Sequence, residues 1–121
     1  MKLNLLLYVL SIKLKKAAKK NARFMKFIRD KNLKLGIRTA DGRSGRQYTF
    51  SNGKILSGSG LPEAPDFVMV WSDADTAFKT MSSTNEEAAV AALTEKKLQV
   101  EGDLKEFMWF SRAVDIMMGK A

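Results

Sequence analysis

Residues 64–81, "APDFVMVWSDADTAFKTM", change periodicity halfway along. In Phe67–Trp71 the large side chains Phe67, Met69 and Trp71 alternate with Val68 and Val70. The first three therefore share one face of an extended strand, and the two valines face the other way. Ser72 then reads as a helix N-cap, and Asp73 and Asp75 fall in the first turn, where carboxylates favour the helix dipole. The spacing predicts a helix from there to about Met81, with Phe78 and Met81 on it.

Upstream, "LKLGIRT" (33–39) alternates, with Leu33, Leu35 and Ile37 on one face. Asp41-Gly42 suits a turn, and "RQYTF" (46–50) puts Tyr48 and Phe50 together. Asn52-Gly53 is a strong two-residue hairpin signal, because both residues tolerate positive φ. "KILS" (54–57) is the returning strand, and "GSGLPEAP" (58–65) breaks regular structure. Downstream, Glu86–Leu93 reads as an Ala-rich helix, with Thr84-Asn85 before it and Glu86-Glu87 suited to its N-terminus. "KLQVEG" (97–102) is a fifth strand, and Asp103 caps a final helix to about Met118, with Gly119 as its stop. The strands come in a run, which predicts an α+β fold: a mainly antiparallel five-stranded sheet with helices packed on it.

Before the first strand, Leu3 to Asp30 contain neither Pro nor Gly, and apolar residues recur at helical spacings. One long helix or two consecutive ones fit. Residues 1–31 hold ten basic side chains and one acid, whereas the other 90 hold eleven and twelve. The net charge of +8 therefore belongs to this segment. The chain divides into a basic amphipathic helix over 1–31 and a body over 32–121, within a single globular unit. Charge of this kind implies an anionic partner at one end of the molecule.

Composition removes several chemistries. There is no Cys and no His, so zinc sites built from them and Ser-His or Cys-His nucleophile pairs are excluded. "GRSGR" (42–46) and "SGSG" (57–60) are too short, and lack the Lys-Ser/Thr, to cradle phosphates as a nucleotide loop does. Asp73 and Asp75 are explained by capping. No catalytic residue, metal or cofactor is expected. Nucleic acid is disfavoured as a partner, because the aromatic residues are spaced as core and not as stacking platforms. Leu3–Ile12 resembles the start of a signal peptide, but "KLKKAAKKNAR" (13–23) follows where small neutral residues belong, and ten residues do not span a bilayer. A cytoplasmic protein, peripheral at a membrane through its basic helix, is expected.

The order of elements and particular residues resemble the sterol carrier protein 2 (SCP-2) family of lipid-binding domains. The residues that carry the likeness are Pro65-Asp66 before the strand, Ser72-Asp73 after it, and Leu98-Gln99-Val100-Glu101-Gly102-Asp103. It covers roughly residues 33–118. It departs at Ser82-Ser83 and Glu95-Lys96, where many members carry Gly. The resemblance implies a sheet and helices enclosing an apolar tunnel. It also implies that a sterol, fatty-acyl, phospholipid or prenylated ligand is carried or presented without a reaction.

Under that resemblance the helical stripe Leu104, Phe107, Phe110 or Ser111, Val114, and Met117 or Met118 becomes a tunnel wall; otherwise it is ordinary core. Met108 joins the expected lipid contacts as a third methionine of this helix, since Met adapts to varied ligands. Phe67, Met69 and Trp71 form the opposite wall, and Phe78 and Met81 close it. Trp109 points away from the stripe, toward another helix, the tunnel mouth or a membrane. Lys13, Lys15, Lys16, Lys19, Lys20, Arg23 and Lys26 are the expected contacts to an anionic membrane, with Leu3–Leu10 in the headgroup boundary. The bland alternative is a helix whose apolar face packs on the domain while its lysines are solvated. A further alternative is a ligand-free interaction module in lipid or quinone biosynthesis, a homodimer through this helix.

Overall fold

Helix formers run unbroken from Lys2 to Lys20 and form α1. Asn21 then leaves helical geometry, and its side chain accepts a hydrogen bond from Phe24 N–H at 3.1 Å. It thereby caps a separate α2, Ala22–Ile28, so the segment is two helices. The computed structural model of the protein describes residues 2–83 and 88–119. The expected Thr84-Asn85 and Glu86-Glu87 helix start lies outside the described residues.

Five strands follow the expected order. They are β1 Asn32–Thr39, β2 Gly45–Ser51, β3 Lys54–Ser59, β4 Phe67–Trp71 and β5 Leu98–Gly102. Between β4 and β5 lie α3, Ala74–Met81, and α4, Ala88–Thr94; α5, Leu104–Met117, comes last. The sheet order is β3-β2-β1-β4-β5. Its pairs are antiparallel except β1–β4, which is parallel. Asn52 and Gly53 both have positive φ in the β2–β3 turn, as a tight hairpin requires.

Register puts Tyr48, Leu35 and Phe67 in one row across the sheet, and Ile37, Met69 and Val100 in the next. This face carries the core, and the helices lie on it. α1 crosses β2 and β3, and the buried Tyr48 hydroxyl donates to the Leu7 carbonyl at 2.6 Å. Leu3, Leu7 and Leu14 are fully buried there. Val68 and Val70, expected to face away, are buried as well. The reason is the segment before β4, which folds over the second face: a Cβ on Gly36 would lie 2.9 Å from Leu61 Cδ2 and 3.3 Å from Pro62 Cδ.

Asp66 joins three strands. It exchanges hydrogen bonds with the Lys34 backbone, giving its N–H to Lys34 O and accepting Lys34 N–H on Oδ2, both at 2.8 Å. Its carbonyl accepts Asp103 N–H at 2.9 Å. The Pro65-Asp66 and Gly102-Asp103 pairs, 37 positions apart in sequence, therefore meet in space.

One of the two expected caps is as read from the sequence and the other is shifted by one residue. Asp103 caps α5 as expected, accepting Lys105 N–H at 2.9 Å. At α3 the cap is Asp73 rather than Ser72: Asp73 Oδ1 accepts Thr76 N–H at 2.7 Å and Oδ2 accepts the Thr76 hydroxyl at 3.0 Å. Those bonds hold the Asp73 carboxyl below its usual pKa.

Candidate functional site

Between the helix-bearing face of β4 and the helices α1, α3 and α5 lies a cavity of about 200 Å³. The sheet contributes Met69 and Trp71 to it. α5 supplies Phe110, Val114 and Met117, and Met81 comes from α3. The fourth wall is α1, through Leu6, Val9 and Leu10. A polar fringe of Lys13, Thr80, Ser111 and Asp115 rims this apolar lining. Met69, Met81, Met117 and Met118 give it four flexible thioether side chains. Trp71 is 1% exposed, and its Nε1–H has no hydrogen-bond partner among the described residues. The lining is thus mainly apolar, and the Trp71 N–H is enclosed in the core behind it.

Six of the eleven expected lipid contacts line this space: Met69, Trp71, Met81, Phe110, Val114 and Met117. Phe67 and Phe107 are core beside it, in edge contact with ring centroids 5.9 Å apart. Phe78 is half-buried, with Lys2 Nζ 5.9 Å from its ring centroid. Leu104 and Met108 are corrections: they are 56% and 63% exposed. The buried residues of α5 are Phe107, Phe110, Ala113 and Ile116, three apart throughout. Steps of three fall short of a turn by about 60° each, so the stripe drifts around the helix. Leu104 and Met108 then lie roughly opposite Ala113.

Trp109 faces another helix. Its ring stacks on Phe27 of α2 at 5.1 Å and meets Phe50 edge-on at 5.1 Å. Lys31 Nζ lies 5.0 Å from the indole centroid and 2.5 Å from Glu106 Oε1. This cluster pins α5 to α2 on the side away from the cavity.

The basic side chains Lys13, Lys15, Lys16, Lys19, Lys20, Arg23 and Lys26 are all exposed. Lys13, Lys16 and Lys20 line an open groove of about 490 Å³ with Met117 and Met118, so groove and cavity share a border. The apolar segment Leu3–Leu10 is not free to enter a headgroup region as a whole. Leu3 and Leu7 are core and Leu6, Val9 and Leu10 are cavity wall, which leaves Leu5 and Tyr8 outside. Sequence reasoning missed the wall role of α1. Its nearly all-round apolar character was the available signal, since a helix that is apolar on two faces must be covered on both.

No helix among the described residues is long and apolar enough to cross a membrane. Among those residues no group of three or more acidic side chains is placed to hold a metal ion.

This arrangement, a five-stranded mixed sheet covered on one face by helices with an apolar cavity between, is the SCP-2-like fold. Among solved structures, "UbiJ-SCP2 Ubiquinone synthesis protein" superposes with a TM-score of 0.70 at 14% identity, over 94% of this chain and 92% of that one. Palmitated SCP2L2 from Aedes aegypti gives a TM-score of 0.53 at 16% identity, over 84% and 86%. Apo sterol carrier protein 2 from Yarrowia lipolytica gives 0.53 at 15%, over 93% and 89%. At such identities the likeness is one of fold. No protein-family model matches the chain. No curated protein matches it in sequence.

Proposed function

We propose that the protein binds the apolar part of a lipid in the cavity between β4, α1 and α5, and carries or presents it without a reaction of its own. The observation that carries this reading is the cavity lining: four methionines with Trp71, Phe110, Leu6 and Leu10 around one space. Each methylene moved from water into it contributes roughly 0.8 kcal/mol, so a ten-carbon segment contributes on the order of 8 kcal/mol before ordering costs. At about 200 Å³ the cavity is smaller than the roughly 300–1,000 Å³ of typical ligand pockets. A long chain therefore enters by displacing methionine side chains. One solved structure of this fold is described as palmitated, which supports an acyl occupant.

In this reading Lys13, Lys16 and Lys20 bring the cavity's border to an anionic surface, where each lysine contributes roughly 1 kcal/mol. The protein then works in the cytoplasm as a peripheral lipid carrier. The direct experiment is native mass spectrometry of the purified protein, with displacement of a fluorescent fatty acid in parallel. A mass equal to the bare chain, together with no displacement, rejects the proposal.

A second reading is favoured by one observation. Leu5, Tyr8 and Ile12 lie at helical spacing on α1 and are 64%, 50% and 48% exposed. They suit a partner or a second copy of the chain, in an accessory role like that suggested by the ubiquinone-synthesis protein of the same fold. Removing residues 1–31 cannot test this, because Leu3, Leu7 and Leu14 belong to the core. The double substitution Leu5→Asp and Ile12→Asp can: loss of a dimer in sedimentation, with lipid binding unchanged, supports the interaction reading.

A further inference from the structure

Four of the chain's seven methionines, Met69, Met81, Met117 and Met118, stand around the lipid cavity, and the chain has no cysteine. Its oxidisable sulfur is therefore all thioether, and most of it is gathered at one place. Met25 and Met108 lie away from the cavity and are 42% and 63% exposed.

Position decides which of the four an oxidant meets. Met69 lies in β4 under the helices and is 8% exposed. Met117 ends α5 and Met118 is its C-cap. Both line the open lysine groove as well as the cavity, so a small solute in the groove reaches them from solvent. Met81 ends α3. Met81 and Met117 are half-buried and pack against the core without belonging to it. They are the two movable side chains that an entering lipid chain has to push aside.

The chemistry balances with one co-reactant, a hydroperoxide. The sulfur lone pair attacks its terminal oxygen, the O–O bond breaks and an S–O bond forms. The thioether gives up two electrons and becomes a sulfoxide. The hydroperoxide is reduced to an alcohol, or to water in the case of hydrogen peroxide, and its proton goes to the departing oxygen. The side chain changes from flexible and apolar to polar. A sulfoxide oxygen buried against methylenes lacks a hydrogen bond, which is costly. Donors are available on the rim, at Lys13, Thr80 and Ser111. The oxidised side chains can meet those donors with the fold intact, but the wall offered to a lipid chain is then polar.

We propose that Met81 and Met117 form a redox-sensitive site, at which a hydroperoxide makes sulfoxides and the oxidised cavity releases its lipid. This rests on the cavity being a lipid site. The hydroperoxide has two sources: hydrogen peroxide in solution, or a hydroperoxide group on the bound chain itself.

The test treats the full chain with hydrogen peroxide or with a fatty-acid hydroperoxide. Peptide mass spectrometry maps the oxygen gained by each methionine, and fluorescent fatty-acid affinity is measured before and after. Affinity is expected to fall about tenfold or more in step with oxidation of Met81 and Met117, and to recover after treatment with methionine sulfoxide reductase. Met25→Leu with Met108→Leu removes two exposed methionines outside the cavity, and the loss on oxidation persists. Leu nearly conserves the volume of Met, so Met81→Leu with Met117→Leu keeps its fold, and peroxide changes its own untreated affinity by less than about twofold. The order of oxidation identifies the source. If the fatty-acid hydroperoxide oxidises Met81 and Met117 before Met108, and hydrogen peroxide does the reverse, the bound chain delivers the oxygen. Met108 first with both reagents, with the same fall in affinity, assigns it to solvent peroxide. Unchanged affinity with Met81 and Met117 both oxidised overturns the site and leaves the lipid reading standing. So does an equal loss in the Met81→Leu, Met117→Leu protein, or an oxidised protein that has unfolded by tryptophan fluorescence. Absence of fatty-acid binding before any oxidation rejects the lipid reading itself, and this inference with it.

Discussion

A Cβ placed on Gly102 would lie 2.5 Å from the carbonyl oxygen of Asp66 and 2.9 Å from Phe67 Cα. Gly102 also has φ +100°, a conformation that side chains rarely adopt. Both atoms it would strike are backbone, so no rotamer change relieves the contact. Gly102→Ala is expected to destabilise the fold by about 2–4 kcal/mol, through strain and overpacking together. Urea unfolding followed by tryptophan fluorescence measures this; a loss under about 0.5 kcal/mol, an ordinary surface effect, contradicts the close approach.

Tyr48 carries a pH dependence. Burial raises its pKa well above the ordinary tyrosine value. The unfolded chain ionises this phenol near pH 10 while the folded chain keeps it neutral. The resulting stability is fully present below about pH 10 and is lost as pH rises toward the folded pKa. Tyr48→Phe should lower stability at pH 7 by about 1 kcal/mol, the worth of its bond to Leu7 O, and flatten the alkaline decline. Unfolding curves at pH 7 and above pH 10 for both proteins check the sign.

Lys31 and Glu106 join the start of β1 to the first turn of α5, with side chains 25% and 22% exposed. A partly buried, charge-assisted contact of this kind predicts a coupling of about 1–2 kcal/mol between Lys31→Ala and Glu106→Ala. A double-mutant cycle reads it directly, and coupling near zero would mean the pair is solvent-screened.

Cavity and exterior of α5 make opposite predictions. Val114→Trp fills the cavity and should weaken fluorescent fatty-acid binding about tenfold or more with little change in fold, since a buried ligand site tolerates no duplicate volume. Leu104→Ala and Met108→Ala should leave that affinity within about twofold, because both side chains face solvent. Equal effects from both sets would place the lipid elsewhere.

Docking of the lysine groove on an anionic surface, as proposed, predicts a salt signature. Lys13→Gln with Lys16→Gln and Lys20→Gln should abolish most co-sedimentation with anionic vesicles, since three lysines contribute roughly 3 kcal/mol there. The same loss is expected for the unmodified protein on raising salt from about 0.1 to 1 M, where the screening length shortens from roughly 10 to 3 Å.

Local chemistry was readable along the chain. Asn52-Gly53 announces its turn, Asp103 its cap, and the alternation of Phe67, Met69 and Trp71 its face. What depends on distant neighbours was not. Ser72 and Asp73 can each cap a helix, and backbone geometry chose the second. Leu104 fits the α5 stripe by counting back three from Phe107, but drift around the helix carries it into solvent. The run 42–46 reads as a loop in the sequence, and only the fold brings Asn4, Arg38 and Gly60 beside it.

The bond from Tyr48 to Leu7 spans 41 residues, and α1 is made before any strand it covers. At synthesis rates of roughly 5–20 residues per second, Leu7 precedes Tyr48 by about 2–8 s. During that interval Leu3, Leu7 and Leu14 have no sheet to rest on. The nascent chain therefore carries a sticky, cationic helix before the sheet that later claims it has been made. Expression yield should therefore respond to the rate at which codons 20–60 are read.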